Sequence, residues 1–95
     1  MKTSELLLLD ENSDKTIEQI IYQDKNEFIV YKNNPYRTQK VYYRNNTIKK
    51  VITKEKKNSL ITKTIIEFIS LHRILKTIFF TSGQISSETI EFSNI

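Results

Sequence analysis

The sequence has almost no glycine or proline and lacks cysteine altogether. Its 95 residues include one glycine, one proline and no cysteine. Without cysteine the chain can form neither disulfides nor cysteine-based zinc sites. A single glycine, Gly83, cannot build the glycine-rich loop that cradles phosphate groups in nucleotide-binding enzymes. These absences exclude several common classes of enzyme and metalloprotein.

Side chains suited to catalysis are also scarce. His72 is the only histidine, and a general base needs a nucleophile and an orienting partner within hydrogen-bond reach. On a helix its neighbours at four-residue spacing would be Phe68 and Lys76, which cannot orient an imidazole. An enzyme that uses Glu67 and His72 is a remote interpretation. We expect a non-enzymatic protein without metal or cofactor.

Long hydrophobic runs are absent as well. The four leucines Leu6–Leu9 are too few for the core of a signal peptide, and Glu5 directly precedes them. The apolar-rich stretch 60–80 is interrupted by charged residues, so it does not have the composition of a membrane span. We therefore expect a soluble intracellular protein, cytoplasmic and without a membrane partner.

Length and composition indicate one small globular domain. Hydrophobic residues make up 38% of the chain and charged residues 27%, which is more apolar than disordered segments usually are. A chain of this size can bury a modest core. We expect residues 1–95 to form a single domain.

Charge is distributed unevenly along the chain. Residues 1–30 hold three lysines against seven acids, a net charge of −4. Residues 31–57 hold nine lysines and arginines against one glutamate, a net charge of +8, and residues 58–95 are neutral. The overall charge of +4 therefore conceals a dipolar molecule with a basic middle third.

Several short segments have the pattern of strands. Residues 27–32, "EFIVYK", predict a strand between two turn-rich segments, and Leu6–Leu9 could form another. Residues 16–22, "TIEQIIY", fit either a helix or a strand, and we favour a strand because a turn follows. Pro35 predicts a turn, since it moves the preceding residue out of the helical region.

Residues 38–44 and 47–53 predict a hairpin that turns at Asn45-Asn46, because asparagine tolerates positive φ. A regular register pairs Tyr43 with Ile48 and places Val41 and Lys50 on one mostly apolar face. The opposite face would carry a tyrosine among cations and threonines, together with Val51. The residues expected on that opposite face are Lys40, Tyr42, Arg44, Lys49 and Val51.

The segment from about 59 to 80 predicts one long helix. Its apolar residues recur at the three- and four-residue spacing of a helix, and Asn58 or Ser59 could cap its start. Gly83 would stop it. The apolar stripe is wide, so one sheet could cover only part of it. The apolar residues of the stripe are Ile61, Ile65, Ile66, Phe68, Ile69, Ile74, Leu75, Ile78 and Phe79.

The predicted fold is therefore α+β. An antiparallel β-meander of about four to five strands would pack one face against the helix 59–80, followed by a short C-terminal strand. The core would join sheet residues to that helix stripe. The sheet residues expected in the core are Leu9, Ile17, Ile21, Phe28, Val30, Val41, Tyr43, Ile48 and Ile52.

Two functional hypotheses follow. The first is a binding protein that holds nucleic acid, DNA or RNA, or another polyanion through the basic hairpin 36–57, since lysine and arginine contact phosphates and aromatic rings stack on bases. Its candidate residues are Arg37, Lys40, Tyr42, Arg44, Lys49, Lys54, Lys56 and Lys57. The alternative without a binding function is that these lysines only protect the open face of a sheet against aggregation.

The second hypothesis is a protein-interaction module, such as an inhibitor, an adaptor or a small subunit. The uncovered side of the helix 60–80 would then contact a protein partner or form a homodimer, because monomers seldom expose a large apolar patch. The residues expected at this interface are Leu71, Ile74, Ile78 and Phe80.

Overall fold

The described part of the chain forms a single antiparallel sheet. A computed structural model describes residues 17–57 and 59–92. These residues form seven strands, each hydrogen-bonded to the next in chain order. The strands are β1 (Ile17–Tyr22), β2 (Glu27–Asn33), β3 (Arg37–Arg44), β4 (Thr47–Glu55), β5 (Ile61–Ser70), β6 (Arg73–Phe80) and β7 (Ile85–Glu91).

The predicted helix at 59–80 is wrong, and with it the α+β fold class. The segment forms the hairpin of β5 and β6, which turns at Leu71 and His72, and no helix occurs in the ranges 17–57 and 59–92. Isoleucine and threonine are frequent in the segment, and their branched side chains favour strands. The helical stripe was too wide because its residues belong to both faces of a sheet. Gly83, with φ 95°, lies in the turn between β6 and β7.

Tight turns join the strands. Asp24 Oδ1 accepts hydrogen bonds from the backbone N–H groups of Asn26 and Glu27 at 2.6 and 2.9 Å, which closes the turn after β1. The Asn34 Oδ1 does the same for Tyr36 and Arg37, each at 2.9 Å, so that Pro35 sits in a side-chain-stabilised turn. The polar turn residues thus satisfy backbone donors that the sheet leaves unpaired.

The turn between β3 and β4 has the predicted two-residue loop. Asn45 and Asn46 have φ of 52° and 61°, the left-handed conformation that a hairpin loop of this length requires at both positions. Arg44 pairs with Thr47 and Tyr43 with Ile48. The Asn45 N–H also donates to the Asn26 carbonyl at 2.8 Å, which ties this tip to the turn after β1.

Beyond the tip, the predicted register is wrong by one residue. A β-bulge follows the Tyr43–Ile48 pair, so Tyr42 pairs with Lys50 and Val41 with Val51. Lys49 is the extra residue of the bulge. A regular hairpin would have turned Lys50 toward the core and Val51 toward solvent. The bulge places Ile48 and Val51 on the same face, which keeps a charged side chain out of the core.

The core lies on one face of the sheet, which we call the inner face. Val30, Val41, Val51 and Ile66 are cross-strand neighbours in one row from β2 to β5, and Ile74 of β6 completes the buried cluster. Val51 and Ile74 are 0% exposed. The partly buried residues packed against this cluster are Phe28, Tyr43, Ile48, Phe68, Ile90 and Phe92.

Burial this complete requires the sheet to curl. On a flat single layer, solvent would cover the inner face. The chain instead has extents of 34 × 29 × 24 Å and a radius of gyration of 13.9 Å, and even its smallest extent exceeds the thickness of one flat sheet. The strands therefore twist and coil, so that side chains from flanking strands cover the central row.

The predicted core is only partly correct. Val30 and Val41 are buried, but Ile17 and Ile21 are exposed because β1 lies at one edge of the described sheet, with all six residues accessible. Ile52 pairs with Lys40 and Ile65, so it lies on the other face. Leu9 and the strand predicted at 6–9 fall outside the described residues. No helix in the described part of the chain is long and apolar enough to cross a membrane.

Replacement of Ile74 by alanine tests the core. We expect Ile74→Ala to lower the free energy of unfolding by about 2–5 kcal/mol, because the site cannot collapse around the missing atoms. Ile85→Ala is the matched control: Ile85 is 62% exposed, so its loss should stay within about 0.5 kcal/mol. Urea denaturation measures both. Equal, small losses would show that the inner face is not the core.

Single-residue deletions in β4 test the bulge. Deleting Lys49 should preserve a cooperative thermal transition close to that of the intact protein, because Ile48 and Val51 keep their partners on β3. Deleting Ile52 should abolish that transition. The deletion shifts the register by one residue, so either Val51 or the residues of β4 that follow it must move to the opposite face of the sheet. Circular dichroism with heating records both. A Lys49 deletion as damaging as the Ile52 deletion would contradict the assigned register.

Candidate nucleic-acid interface

The face opposite the core, which we call the outer face, carries the basic residues of the central strands. Side chains alternate between the faces of a strand. With Val41 inside, Lys40, Tyr42 and Arg44 of β3 therefore point outward. The β4 residues Lys50 and Lys54 are on the same side, because Lys50 pairs with Tyr42 and Lys54 with Thr38. On β5, Lys63 pairs with Lys54 and joins them.

These side chains form one cationic surface across β3, β4 and β5. We call it the outer cationic face, and its basic members are Lys40, Arg44, Lys50, Lys54 and Lys63. The carboxylates on the outer face of β2 to β5 are Glu27 and Glu67 only, since Glu67 pairs with Lys50. Neighbouring strands lie about 4.8 Å apart, so the ammonium groups share one continuous field rather than acting as isolated charges.

Aromatic rings are interleaved with these cations. The Lys50 ammonium lies 4.9 Å from the centroid of the Tyr42 ring, and the Lys63 ammonium lies 4.4 Å from that of Phe79. Tyr31 pairs with Lys40 and is partly buried on the same face. Cation–π contacts of this kind hold the long side chains of Lys50 and Lys63 close to the sheet.

Three of the predicted binding residues lie elsewhere. Arg37 pairs with Glu55 on the inner face, where its Nε is 3.3 Å from Glu55 Oε1. Lys56 follows β4, and its ammonium donates to Asn33 Oδ1. The Lys57 ammonium covers the ring of Tyr36 at 4.9 Å. These residues surround one end of the sheet and do not belong to the outer cationic face.

Of the remaining predicted residues, Tyr42, Arg44 and Lys49 lie near the hairpin tip, whereas Lys40 lies in the middle of β3 and Lys54 near the far end of β4. Arg44 is exposed, and its Nε lies 3.3 Å from Glu27 Oε1. Lys49 is exposed in the bulge. Tyr42 lies between them and the centre of the sheet. The carboxylate of Glu27 offsets the charge of Arg44, and Glu67 pairs with Lys50, so Lys40, Lys54 and Lys63 contribute most of the unopposed positive field.

Sequence reasoning missed Lys50 and Lys63 as members of this surface. A regular hairpin puts Lys50 on the apolar face, and a helix puts Lys63 on its polar side. The signal in the sequence was the pattern Ile48, Val51: two aliphatic residues three apart in a strand can share a face only across a bulge.

The predicted protein interface does not exist as one surface. Without a helix, Leu71 is an exposed turn residue, whereas Ile74 is fully buried. Ile78 and Phe80 alternate with Phe79 and are partly buried on the inner face. The exposed apolar side chains that the structure describes concentrate instead on the edge strand β1, at Ile17, Ile20, Ile21 and Tyr22. The opposite edge, β7, is largely polar.

A depression of about 250 Å³ opens beside the hairpin tip. We call it the hairpin-end depression. Its walls come from β2, β3, β4 and the turn after β1, and they combine aromatic, aliphatic and charged groups. The residues that define its character are Glu27, Phe28, Tyr42, Arg44, Lys49 and Lys50. The outer-face ring of Tyr42 and the cations Arg44, Lys49 and Lys50 therefore border a concave space that Phe28 and Tyr43 of the inner face also line.

The described residues include no group of three or more histidine, aspartate or glutamate side chains arranged to hold a metal ion. Comparison of the chain with protein-family models, with curated proteins and with solved structures gives no match. The chemistry of the surface itself is therefore the basis for a functional proposal.

The ion pair at the tip should be dispensable for folding. We expect Glu27→Gln to change the free energy of unfolding by less than about 1 kcal/mol, because both partners are well exposed and solvent screens them. Urea denaturation measures the change, and Arg44→Gln should give a similarly small value. A loss of several kcal/mol in either variant would mean that the pair is structural, and these positions could not then serve as probes of binding.

Proposed function

We propose that this protein binds the sugar–phosphate backbone of nucleic acid, without sequence preference, through the outer cationic face. The observation that carries the proposal is the convergence of Lys40, Arg44, Lys50, Lys54 and Lys63 on one face of β3, β4 and β5. Cations on a phosphate backbone release bound counterions, and this release supplies most of the affinity in non-specific binding.

The arrangement of charges favours nucleic-acid binding over a role limited to protecting the sheet against aggregation. Lys54 and Lys63 are direct cross-strand neighbours, and like charges in this position destabilise a sheet. Protection against aggregation requires charge at sheet edges, whereas these lysines occupy three central strands. A polyanion would offset their repulsion, which gives the cluster a role beyond solubility.

Paired charge substitutions test the proposal. Lys40→Gln with Lys54→Gln should weaken binding to a DNA duplex of arbitrary sequence and reduce the slope of log affinity against log salt by about two, roughly one for each lost phosphate contact. Lys25→Gln with Lys57→Gln removes the same net charge from exposed sites off the outer cationic face. That control should leave the slope nearly unchanged.

Fluorescence anisotropy at several salt concentrations gives both slopes. The same measurement with heparin provides a second polyanion. Comparison of the affinities for heparin and for the duplex separates recognition of nucleic acid from general attraction to sulfate or phosphate. Equal slopes for the two double variants would refute the assigned surface. No measurable binding of duplex, single strand or heparin by the unaltered protein at low salt would refute the function.

A further inference from the structure

The hairpin-end depression is concave and meets the outer cationic face at Arg44 and Lys50. Pockets for drug-sized ligands have volumes of about 300–1,000 Å³, and this depression, at about 250 Å³, is slightly smaller. It suits one planar ring system with its attached phosphate. A double helix, whose bases are stacked inside, presents no such group to a surface.

The lining of the depression offers separate contacts for a base and for phosphates. The Tyr42 ring is a flat π surface, and Lys50 lies over it at 4.9 Å. Lys49 and Arg44 border the same space. A base can replace the Lys50 ammonium on the ring, because stacking on tyrosine is open to any base. The displaced ammonium then remains close enough to contact a flanking phosphate.

Neighbouring contacts support the strand that carries Tyr42. Tyr43, the next residue, stacks on Phe28 on the inner face with ring centroids 4.8 Å apart and an interplanar angle of 9°. The hydrogen bond from Asn45 to Asn26 fixes the tip against the turn after β1. The strand that carries Tyr42 is therefore held on both sides, which lowers the entropy lost when a ligand orders the site.

We propose that the hairpin-end depression takes one unpaired base, stacked on Tyr42, with Lys49 and Lys50 on the flanking phosphates. The protein then binds single-stranded nucleic acid in preference to duplex. This inference rests on the proposed function and adds to it the class of nucleic acid recognised. A paired base would first have to leave its stack, which costs a few kcal/mol.

The test compares an oligo-dT single strand with a duplex of the same length at one salt concentration. The unaltered protein should bind the single strand more tightly. Tyr42→Ala should weaken single-strand binding by about five- to 150-fold, the range for loss of one base–aromatic stack, and weaken duplex binding far less. Tyr42→Phe keeps the ring and should retain the preference.

Tyr36→Ala is the matched control. Tyr36 carries a lysine over its ring at the same distance, 4.9 Å, but lies at the other end of β3, away from the depression. Its loss should affect neither probe. An aminopurine placed within the oligo-dT should lose fluorescence on binding to the unaltered protein and to Tyr36→Ala but not to Tyr42→Ala. Circular dichroism confirms that each variant is folded.

The outcomes separate the two proposals. If neither probe binds, the proposed function fails. A second outcome is that the single strand and the duplex bind equally tightly with a steep salt dependence, and a third is that Tyr42→Ala weakens the binding of both by the same factor. Either of these two results would support binding by the outer cationic face and overturn the unpaired-base site. A single-strand preference that survives Tyr42→Ala would likewise overturn it.

Discussion

The need to cover the inner row of branched aliphatic side chains determines the shape of this molecule. Val30, Val41, Val51 and Ile66 lie side by side across four strands, and the described residues provide no second layer to cover them. Among the described residues, the side chains that can exclude water from this row are those of flanking strands, which reach it when the sheet curls. Short hairpin connections make that possible, because each strand packs beside its predecessor and the coil accumulates from strand to strand.

The bulge at Lys49 links the core to the candidate interface. By moving Val51 inside, it moves Lys50 and Lys54 outside, where they join Lys40. Packing of one aliphatic residue thus decides the composition of a surface on the opposite side of the sheet. The extra residue of the bulge thus preserves the core and also gathers the lysines on the outer face. It places Lys50 over the ring of Tyr42.

Several features were predictable from sequence alone, and the errors have identifiable causes. The strand at 27–32 corresponds to β2, and the Asn45-Asn46 loop has the predicted positive φ at both positions. These features depend on local chemistry. The helix was wrongly predicted because isoleucines spaced three and four apart also occur when both faces of two adjoining strands are apolar. The width of that apolar stripe, together with its branched residues, was the signal for strands.

The sequence by itself determined the three turns that join β1 to β4, the basic middle third and the absence of cysteine chemistry, because each depends on residue type at one position or on a simple count. The tertiary structure alone decided which lysines share a surface, which isoleucines are buried and where Leu71 and Ile74 lie. Successive residues of a strand point to opposite faces of the sheet, so a register shift of one residue exchanges the two faces. A single bulge, or one misassigned element, therefore exchanges inside and outside for every residue beyond it.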